Sequence, residues 1–318
     1  MKNIVLIPAY QPDVKLEKLI HQLKEENFDI IVVNDGSSVE SKRIFESISK
    51  DCIVLTHEVN RGKGCALKTG FSYIKNMIPE DYVVVTMDCD GQHQIEDAKK
   101  LFAYNQDHLE ELVLGSRGFD KDVPLRSQLG NTITRGVFAL ATGTRVFDTQ
   151  TGLRSFSNHL IDRMIEIPGE RYEYEIQMLL RCAGEGITIH EIPIETIYID
   201  NNSSSHFHPI KDSFKIYKEI CKYSASSIFC FFLNIILYCL LLLGVSYLVS
   251  NILSGIICCL LYYFWKKSHS ILKSLGKIVL STVLLFGFHF LIPGVIVSKI
   301  LTEICLIIGM IFFKGSKT

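Results

Sequence analysis

Two carboxylates one residue apart, Asp88 and Asp90, stand in the run Thr86-Met87-Asp88-Cys89-Asp90-Gly91-Gln92-His93. The stretch before them, Tyr82-Val83-Val84-Val85, is apolar. An apolar strand that ends in two negative charges is costly unless a cation neutralises them. With Gln92 the pair makes a hard oxygen-ligand set suited to Mg2+ or Mn2+, shared with diphosphate oxygens. The plain alternative is a solvated acidic turn. His93 either orients a ligand or caps the site.

Two more runs have chemical potential. Asp35, in Val33-Asn34-Asp35-Gly36-Ser37-Ser38, can accept hydrogen bonds from a base or ribose. The same residues also make a turn in which Ser37 or Ser38 caps the next helix. Asn60-Arg61-Gly62-Lys63-Gly64 sets two cations among glycines where a helix opens, which makes an anion site. Neither the GxxxxGK[ST] spacing nor GxGxxG is present, so P-loop and dinucleotide readings have no support. Glu173 and Glu175 are candidates for a general base, or are polar residues at a helix start.

These runs must be carried by regular elements. Short apolar stretches predict buried strands at Ile4–Ile7, Ile30–Val33, Ile53–Thr56, Tyr82–Met87 and Leu112–Leu114. Helical patterns lie between them at Leu16–Glu25, Ser41–Ile48, Cys65–Ile74 and Ile95–Tyr104. The alternation predicts an α/β domain with a mostly parallel sheet and helices on both faces. Ligands bind such sheets beyond the carboxyl ends of the strands, where these runs fall.

Charge divides the chain. It has 33 Lys/Arg and 34 Asp/Glu, yet only eight of these follow Tyr223: Lys266, Lys267, Lys273, Lys277, Lys299, Glu303, Lys314 and Lys317. This excludes a simple soluble enzyme, a nucleic-acid binder with a basic body and a disordered chain. Four apolar segments can be drawn, Ser226–Val249, Ile252–Trp265, Ile278–Val297 and Ile300–Phe313. A membrane span needs about 20 residues, so the second and fourth pass only as hairpin partners. Lysines before the first segment (Lys211, Lys215, Lys218, Lys222), between the second and third, and after the fourth all fall on one side if there are four spans. That side is expected to be cytoplasmic. The strand-like start at Met1 has no signal-peptide pattern, which places the first domain in the cytoplasm as well. The ten scattered cysteines read as reduced apolar residues. Asn234, Ser281, His289, Lys299 and Glu303 are polar oddities in the tail. Lys299 and Glu303, four apart, read first as a helical pair. Ile210, Phe214, Tyr217 and Cys221 predict an amphipathic helix over Ser205–Lys222, lying on a bilayer surface or packed on the first domain. The expected domains are 1–204, an interfacial helix 205–223, and a membrane domain 224–318.

Taken together, the motifs resemble the family 2 glycosyltransferases of the GT-A fold, and within them the dolichyl- or polyprenyl-phosphate sugar synthases. The matching runs are Pro8-Ala9-Tyr10, Asn34-Asp35-Gly36-Ser37, Asn60-Arg61-Gly62-Lys63-Gly64, Asp88-Cys89-Asp90-Gly91-Gln92-His93, Gly115-Ser116-Arg117 and Asp148-Thr149-Gln150-Thr151-Gly152-Leu153-Arg154. They cover about residues 3–222 in the family's order. The tail resembles the GtrA-like four-helix membrane family. The resemblance implies a Rossmann-like GT-A domain fused to a four-helix transmembrane domain. Pro8, Ala9, Tyr10, Asp35, Gly62, Lys63, Asp88 and Gln92 would bind a nucleoside-diphosphate sugar. Asp88, Asp90 and Gln92 would hold Mg2+ or Mn2+. Arg117 and Arg126 would bind the acceptor phosphate. Asp88, Asp90, Arg117 and Asp148 would be the catalytic set, with Asp148 to Gly152 lining the sugar or acceptor region. The synthases tend to carry a late Arg-x-x-Gly-x-Ser loop. Here that place reads Asn201-Asn202-Ser203-Ser204-Ser205-His206-Phe207-His208, and His206, His208 or Lys211 is left to supply the charge.

The implied reaction is inverting transfer of a sugar to polyprenyl (undecaprenyl) phosphate at the cytoplasmic membrane, for cell-envelope polysaccharide or wall-polymer glycosylation. Membrane lipid is an implied partner, as is a flippase or a downstream glycosyltransferase; nucleic acid is not. A second reading gives the tail a role in flipping the sugar-lipid. Processive polysaccharide synthesis is disfavoured: its Gln-x-x-Arg-Trp motif is missing, and the one tryptophan, Trp265, lies in the tail.

Overall fold

The computed structural model of the chain describes residues 1–118, 125–195, 209–266, 271–291 and 294–314. It divides into two compact units, Met1–Phe138 with Val146–Glu219, and Ala139–Arg145 with Ile220–Thr318.

The first unit is a seven-stranded sheet in the order β3-β2-β1-β4-β6-β5-β7. The strands are β1 (Lys2–Ala9), β2 (Asp29–Asn34), β3 (Ile53–Thr56), β4 (Tyr82–Thr86), β5 (Leu112–Arg117), β6 (Arg154–Ser157) and β7 (Ile189–Ile194). All neighbours pair in parallel except β6, which runs antiparallel to both β4 and β5. Every residue from Ile4 to Ala9 is buried, as a central parallel strand covered on both faces requires.

Helices α1 (Val14–Glu25), α2 (Lys42–Ile48), α3 (Lys63–Met77) and α4 (Ile95–Asp107) follow the first four strands. They are joined later by α5 (Leu125–Thr142, up to Phe138 in this unit), α6 (Ile161–Glu166) and α7 (Glu173–Glu185). Leu16, Leu19, Ile20 and Leu23 of α1 share a core with Val5, Ile7 and Val32, and with Ala98, Leu101 and Phe102 of α4. Gly70 of α3 lies against the Leu6 side chain, so α3 sits close to the sheet. Strand β6 is the element that periodicity does not announce. Its residues Arg154, Ser155, Phe156 and Ser157 are all buried, and three of them are polar.

The second unit is helical, with α8 (Pro209–Leu241, from Ile220 onward), α9 (Tyr247–Lys266), α10 (Ile271–Leu291) and α11 (Val295–Lys314). The helices depart from the expected segments. α9 and α11 each run 20 residues, because Ser250, Asn251, Ser298 and Lys299 turn inward and the helix continues through them. Residues 209–223 of the expected interfacial helix and the first apolar segment as far as Leu241 both lie in α8, while Val249, the expected end of that segment, lies in α9. On α8 Phe214 is 69% exposed and Cys221 is exposed, while Ile216 and Ile220 are buried. Tyr217 and Glu219 bond to Thr134 and Gln177. Among the described residues no single helix is long and apolar enough to cross a membrane. The segments Ser213–Ala225 and Ile228–Leu241, bent by 45°, pass that test only as a pair. Lys211, Lys266, Lys267, Lys273, Lys277, Lys314 and Lys317, which set the expected orientation, have side chains outside the described residues, and so does the expected boundary at 204/205.

This unit inverts the usual pattern. Asn251, Lys299, Ser254, Ser298 and Thr302 are at most 1% exposed, while Phe232, Leu243, Val283 and Phe286 face outward at 58% or more. Lys299 Nζ donates to Glu303 Oε1 and to Asn251 Oδ1, both at 2.6 Å. Asn234 Nδ2 donates to the same Glu303 oxygen at 3.0 Å. The expected Lys299–Glu303 pair is therefore formed, inside a larger buried network.

Candidate active site

The site is built at the carboxyl ends of β1, β2 and β4. Ala9 and Asn34 end β1 and β2 in register, and Asp35 N donates to Ala9 O at 2.8 Å. Pro8 and Ala9 are buried and Tyr10 is half-buried beside them. The Ser37 and Ser38 hydroxyls do not cap a helix. Ser37 Oγ accepts from Gln11 N at 2.9 Å, and Ser38 Oγ donates to Gln11 Oε1 at 2.9 Å, which ties the two strand-end loops together.

Asp35 is 3% exposed and acts as a hub. Its Oδ1 accepts from His57 Nδ1 at 2.7 Å and from Arg61 N at 2.9 Å, and its Oδ2 accepts from Gly62 N at 2.7 Å. The other His57 nitrogen meets Thr69 Oγ1 at 2.9 Å. Asp35 thus fixes the loop that opens α3. Gly62 in that loop has φ +99, a conformation that favours glycine, and a Cβ there would meet Glu170 O at 2.5 Å. His57 had no motif to mark it in the sequence; its place just past β3 was the only available signal.

Lys63, the first residue of α3, reaches back across the site. Its Nζ lies 2.7 Å from Asp88 Oδ1 and 2.8 Å from Glu175 Oε1. The Lys63 and Glu175 side chains are 17% and 12% exposed. Burial works against the Lys63 ammonium, but Asp88 and Glu175 outweigh it and hold its pKa well above the usual lysine range. Burial likewise opposes ionised Asp88; Lys63 and then His93 overcome this and hold its carboxyl far below the usual range. For Asp90 the balance runs the other way. Burial, and next the neighbouring Asp88, raise its carboxyl, although Gln92 N donates to Asp90 Oδ1 at 3.0 Å. Burial and the two carboxylates also push the intervening Cys89 thiol up to about 12, so it stays a neutral thiol.

The opposite wall is the segment after Asp148. Thr86 Oγ1 donates to Gly152 O at 2.8 Å, and a Cβ on Gly152 would stand 2.3 Å from Asp88 Oδ2. Only glycine lets that strand come so near the carboxylate. The fully buried Arg154 uses its guanidinium on three carbonyls: Thr151 O at 2.9 Å, Glu175 O at 2.7 Å and Thr149 O at 3.4 Å. It joins this wall to the first turn of α7. Glu173, the other base candidate, accepts from Glu170 N and Arg171 N and so organises the turn before α7.

Arg117 and Asp148 meet each other. Arg117 Nε and Nη2 donate to Asp148 Oδ2 and Oδ1 at 2.6 and 3.0 Å, and Gln150 N donates to Asp148 Oδ1 at 3.0 Å. Arg126 lies on α5 with its side chain outside the described residues, and so does the Asn201–His208 loop.

The donor set suits a divalent cation. Among the described residues no three His, Cys, Asp or Glu side chains form a complete metal site. Two carboxylates that share ligation with a substrate diphosphate need no third. Burial first, and Asp88 next, favour the protonated form of Asp90. His93 Nε2 stands 3.5 Å from Asp88 Oδ2, and neither buried ring nitrogen has a hydrogen-bond partner among the described residues. A cation held by Asp88 and Asp90 would offset the Asp88 repulsion that adds to burial in raising Asp90.

Residues 4–167 match the family described as Glycosyl transferase family 2. A UDP-N-acetylglucosamine–dolichyl-phosphate N-acetylglucosaminyltransferase of Methanococcus voltae is 30% identical over 217 residues, which cover 62% of this chain and 86% of that protein. A polyprenol monophosphomannose synthase of Mycolicibacterium smegmatis is 25% identical over 210 residues, covering 61% and 76%. The glucosyl-3-phosphoglycerate synthase of Mycobacterium tuberculosis, solved with Mn2+, UDP and phosphoglyceric acid, superposes with a TM-score of 0.53 at 15% identity, covering 70% of this chain and 78% of that one. At that identity the likeness concerns the fold, which is GT-A.

Proposed function

We propose that this chain, which belongs to glycosyl transferase family 2, moves a sugar from a nucleoside diphosphate to polyprenyl phosphate, with undecaprenyl phosphate as the expected acceptor. The observation that carries this reading is the pairing of Asp88 and Asp90 beside the Lys63 ammonium at the carboxyl end of a parallel sheet. The names of the relatives support a prenyl-phosphate acceptor.

In this reading Pro8, Ala9 and Tyr10 line the nucleotide, and Asp35 holds the Arg61–Gly62 wall against it. Asp88, Asp90 and Gln92 would hold Mg2+ or Mn2+, which when bound supplies electrostatic stabilisation of the diphosphate leaving group. Lys63 and the N-terminus of α3 add positive potential on the same side. The acceptor oxygen is already anionic at neutral pH, so the transfer needs no strong base. That oxygen forms the new bond to the anomeric carbon with inversion as the bond to the diphosphate breaks. Arg117, held by Asp148, and Arg126 present charge to the acceptor phosphate.

The helical unit is proposed as a membrane domain with the catalytic unit on the cytoplasmic side. Its apolar exterior and polar interior suit lipid around it rather than water. The same interior favours a second reading, in which the unit engages the polar head of the sugar-lipid and helps move it across. The Tyr238 hydroxyl and Ser250 Oγ are buried there without a hydrogen-bond partner among the described residues.

The test is incubation of the full chain with divalent metal, a panel of labelled UDP- and GDP-sugars, and undecaprenyl phosphate. Label is expected in a chloroform-soluble product. Label found only in a water-soluble or insoluble polymer rejects the reading. For the second reading, Lys299→Met is expected to alter the distribution of sugar-lipid between leaflets without changing its synthesis.

A further inference from the structure

Lys63 carries more than the anion-site role its motif suggests. Its ammonium is held between two carboxylates from different elements, Asp88 at the end of β4 and Glu175 in the first turn of α7. It touches the oxygen set that would hold the metal. A buried ammonium needs a compensating carboxylate, and one would suffice. The second carboxylate, Glu175, has its backbone carbonyl gripped by Arg154 at 2.7 Å, so its helix turn is anchored. Asp88 is the more open partner, with its side chain 33% exposed against 12% for Glu175. A divalent cation approaching Asp88 and Asp90 therefore meets a site already neutralised from within.

We infer that Lys63 is an exchangeable internal counter-ion of the metal site, and that Glu175 is the positioning residue that keeps it when Asp88 is given up to the metal. This rests on the proposed metal role of Asp88 and Asp90. It assigns Glu175 to Lys63 rather than to proton abstraction. Without metal, Lys63 spares the fold two uncompensated carboxylates. With metal, Glu175 prevents the displaced ammonium from being buried unpaired, and the ammonium stays beside the diphosphate position. The counter-ion has a cost, because the metal would compete with Lys63 for the Asp88 carboxylate. Removing the ammonium should strengthen metal binding, and removing the Glu175 charge should weaken it, since Lys63 then has only Asp88 to hold.

The experiment is Mn2+ titration of the full chain in detergent, followed by electron paramagnetic resonance, with no donor or acceptor present. Lys63→Met is expected to bind Mn2+ about tenfold more tightly than the unsubstituted chain, from the loss of a neighbouring positive charge. Glu175→Gln is expected to bind it about tenfold more weakly, in the range seen for residues that support metal ligands. Asp90→Ala is the control and should lose binding. If the unsubstituted chain binds Mn2+ and Asp90→Ala does not, but Lys63→Met binds equally or more weakly, the counter-ion inference is wrong and the metal reading stands. If the unsubstituted chain binds no Mn2+, both fall. Should Lys63→Met fail to fold, Glu175→Gln decides alone: unchanged or tighter Mn2+ binding overturns the inference.

Discussion

Arg117 and Asp148 form a two-point ion pair, with Nε–Oδ2 at 2.6 Å and Nη2–Oδ1 at 3.0 Å, on a carboxylate that is fully buried. In the proposed acceptor role of Arg117, Asp148 would hold the arginine fork in place before the acceptor arrives. Asp148→Ala removes the buried carboxylate from its two-point pair with Arg117 and is expected to cost about 3–5 kcal/mol of stability. Arg117→Lys loses the fork geometry while keeping the charge. It should raise the KM for the lipid phosphate more than that for the donor. Denaturant unfolding and steady-state kinetics check the two halves.

Asp90 pays for its site in stability, and the sign is checkable. Its folded-state carboxyl is raised by burial and Asp88, so the fold binds that proton more tightly than the unfolded chain does. The penalty is absent below the unfolded value of about 4 and grows as pH rises through the folded value. Asp90→Asn should therefore raise Tm at pH 7 in the absence of metal, by roughly 2–4 °C for each kcal/mol relieved. Added Mn2+ should raise the Tm of the unsubstituted chain and leave Asp90→Asn unchanged. Activity should vanish in the variant.

Lys63 and Asp88 shift in opposite directions, which brackets the pH range in which their pair helps the fold. Asp88 is depressed, so its contribution is present above about pH 4 and lost as pH falls toward its folded value. Lys63 is raised, so its contribution is present below about pH 10.4 and lost as pH climbs toward its folded value. Lys63→Met should flatten the dependence of stability on pH at both ends, as read by unfolding midpoints at acid, neutral and alkaline pH.

Gly152→Ala puts a methyl group into the Asp88 carboxylate, 2.3 Å from Oδ2. Either Asp88 or the wall must move. A shift of about 1 Å in a reacting constellation costs on the order of 100-fold in rate. The expected result is a loss of that size in kcat/KM with a folded protein by circular dichroism. Near-normal activity would mean that Asp88 is not held in a working position.

Within the helical unit, Lys299→Met removes the cation from the part-buried Glu303 side chain and leaves it bonded to Asn234. The single change is expected to cost about 3–5 kcal/mol, and the double change Lys299→Met/Glu303→Gln less than either single one. Thermal unfolding in detergent reads the difference. A double-variant cost equal to the sum of the two single costs would show that the pair is not energetically coupled.

Much of the fold and part of the site can be read without coordinates, because the signals are local. Continuous Ile/Val/Leu runs mark β1, β2 and β4 as buried on both faces, and the charged or glycine-rich residues that follow them mark the binding end of the sheet. The drop in charge after Tyr223 marks a second unit. What stays hidden depends on partners far apart in the chain. Strand β6 has no apolar signature, since Ser155 is satisfied by Asn105, Ser157 by Leu109 O and Arg154 by carbonyls of two segments. His57 gains meaning only when the sheet sets it between Asp35 and Thr69. Lys63 reads as a free cation for phosphate in its glycine-rich loop, and the tertiary structure gives it two carboxylates, one of them 112 positions further on. Hydrophobic periodicity reports which face of an element leaves water. It carries no information about which buried charge will meet which, because that is settled by the packing of helices and strands whose order in space differs from their order in sequence.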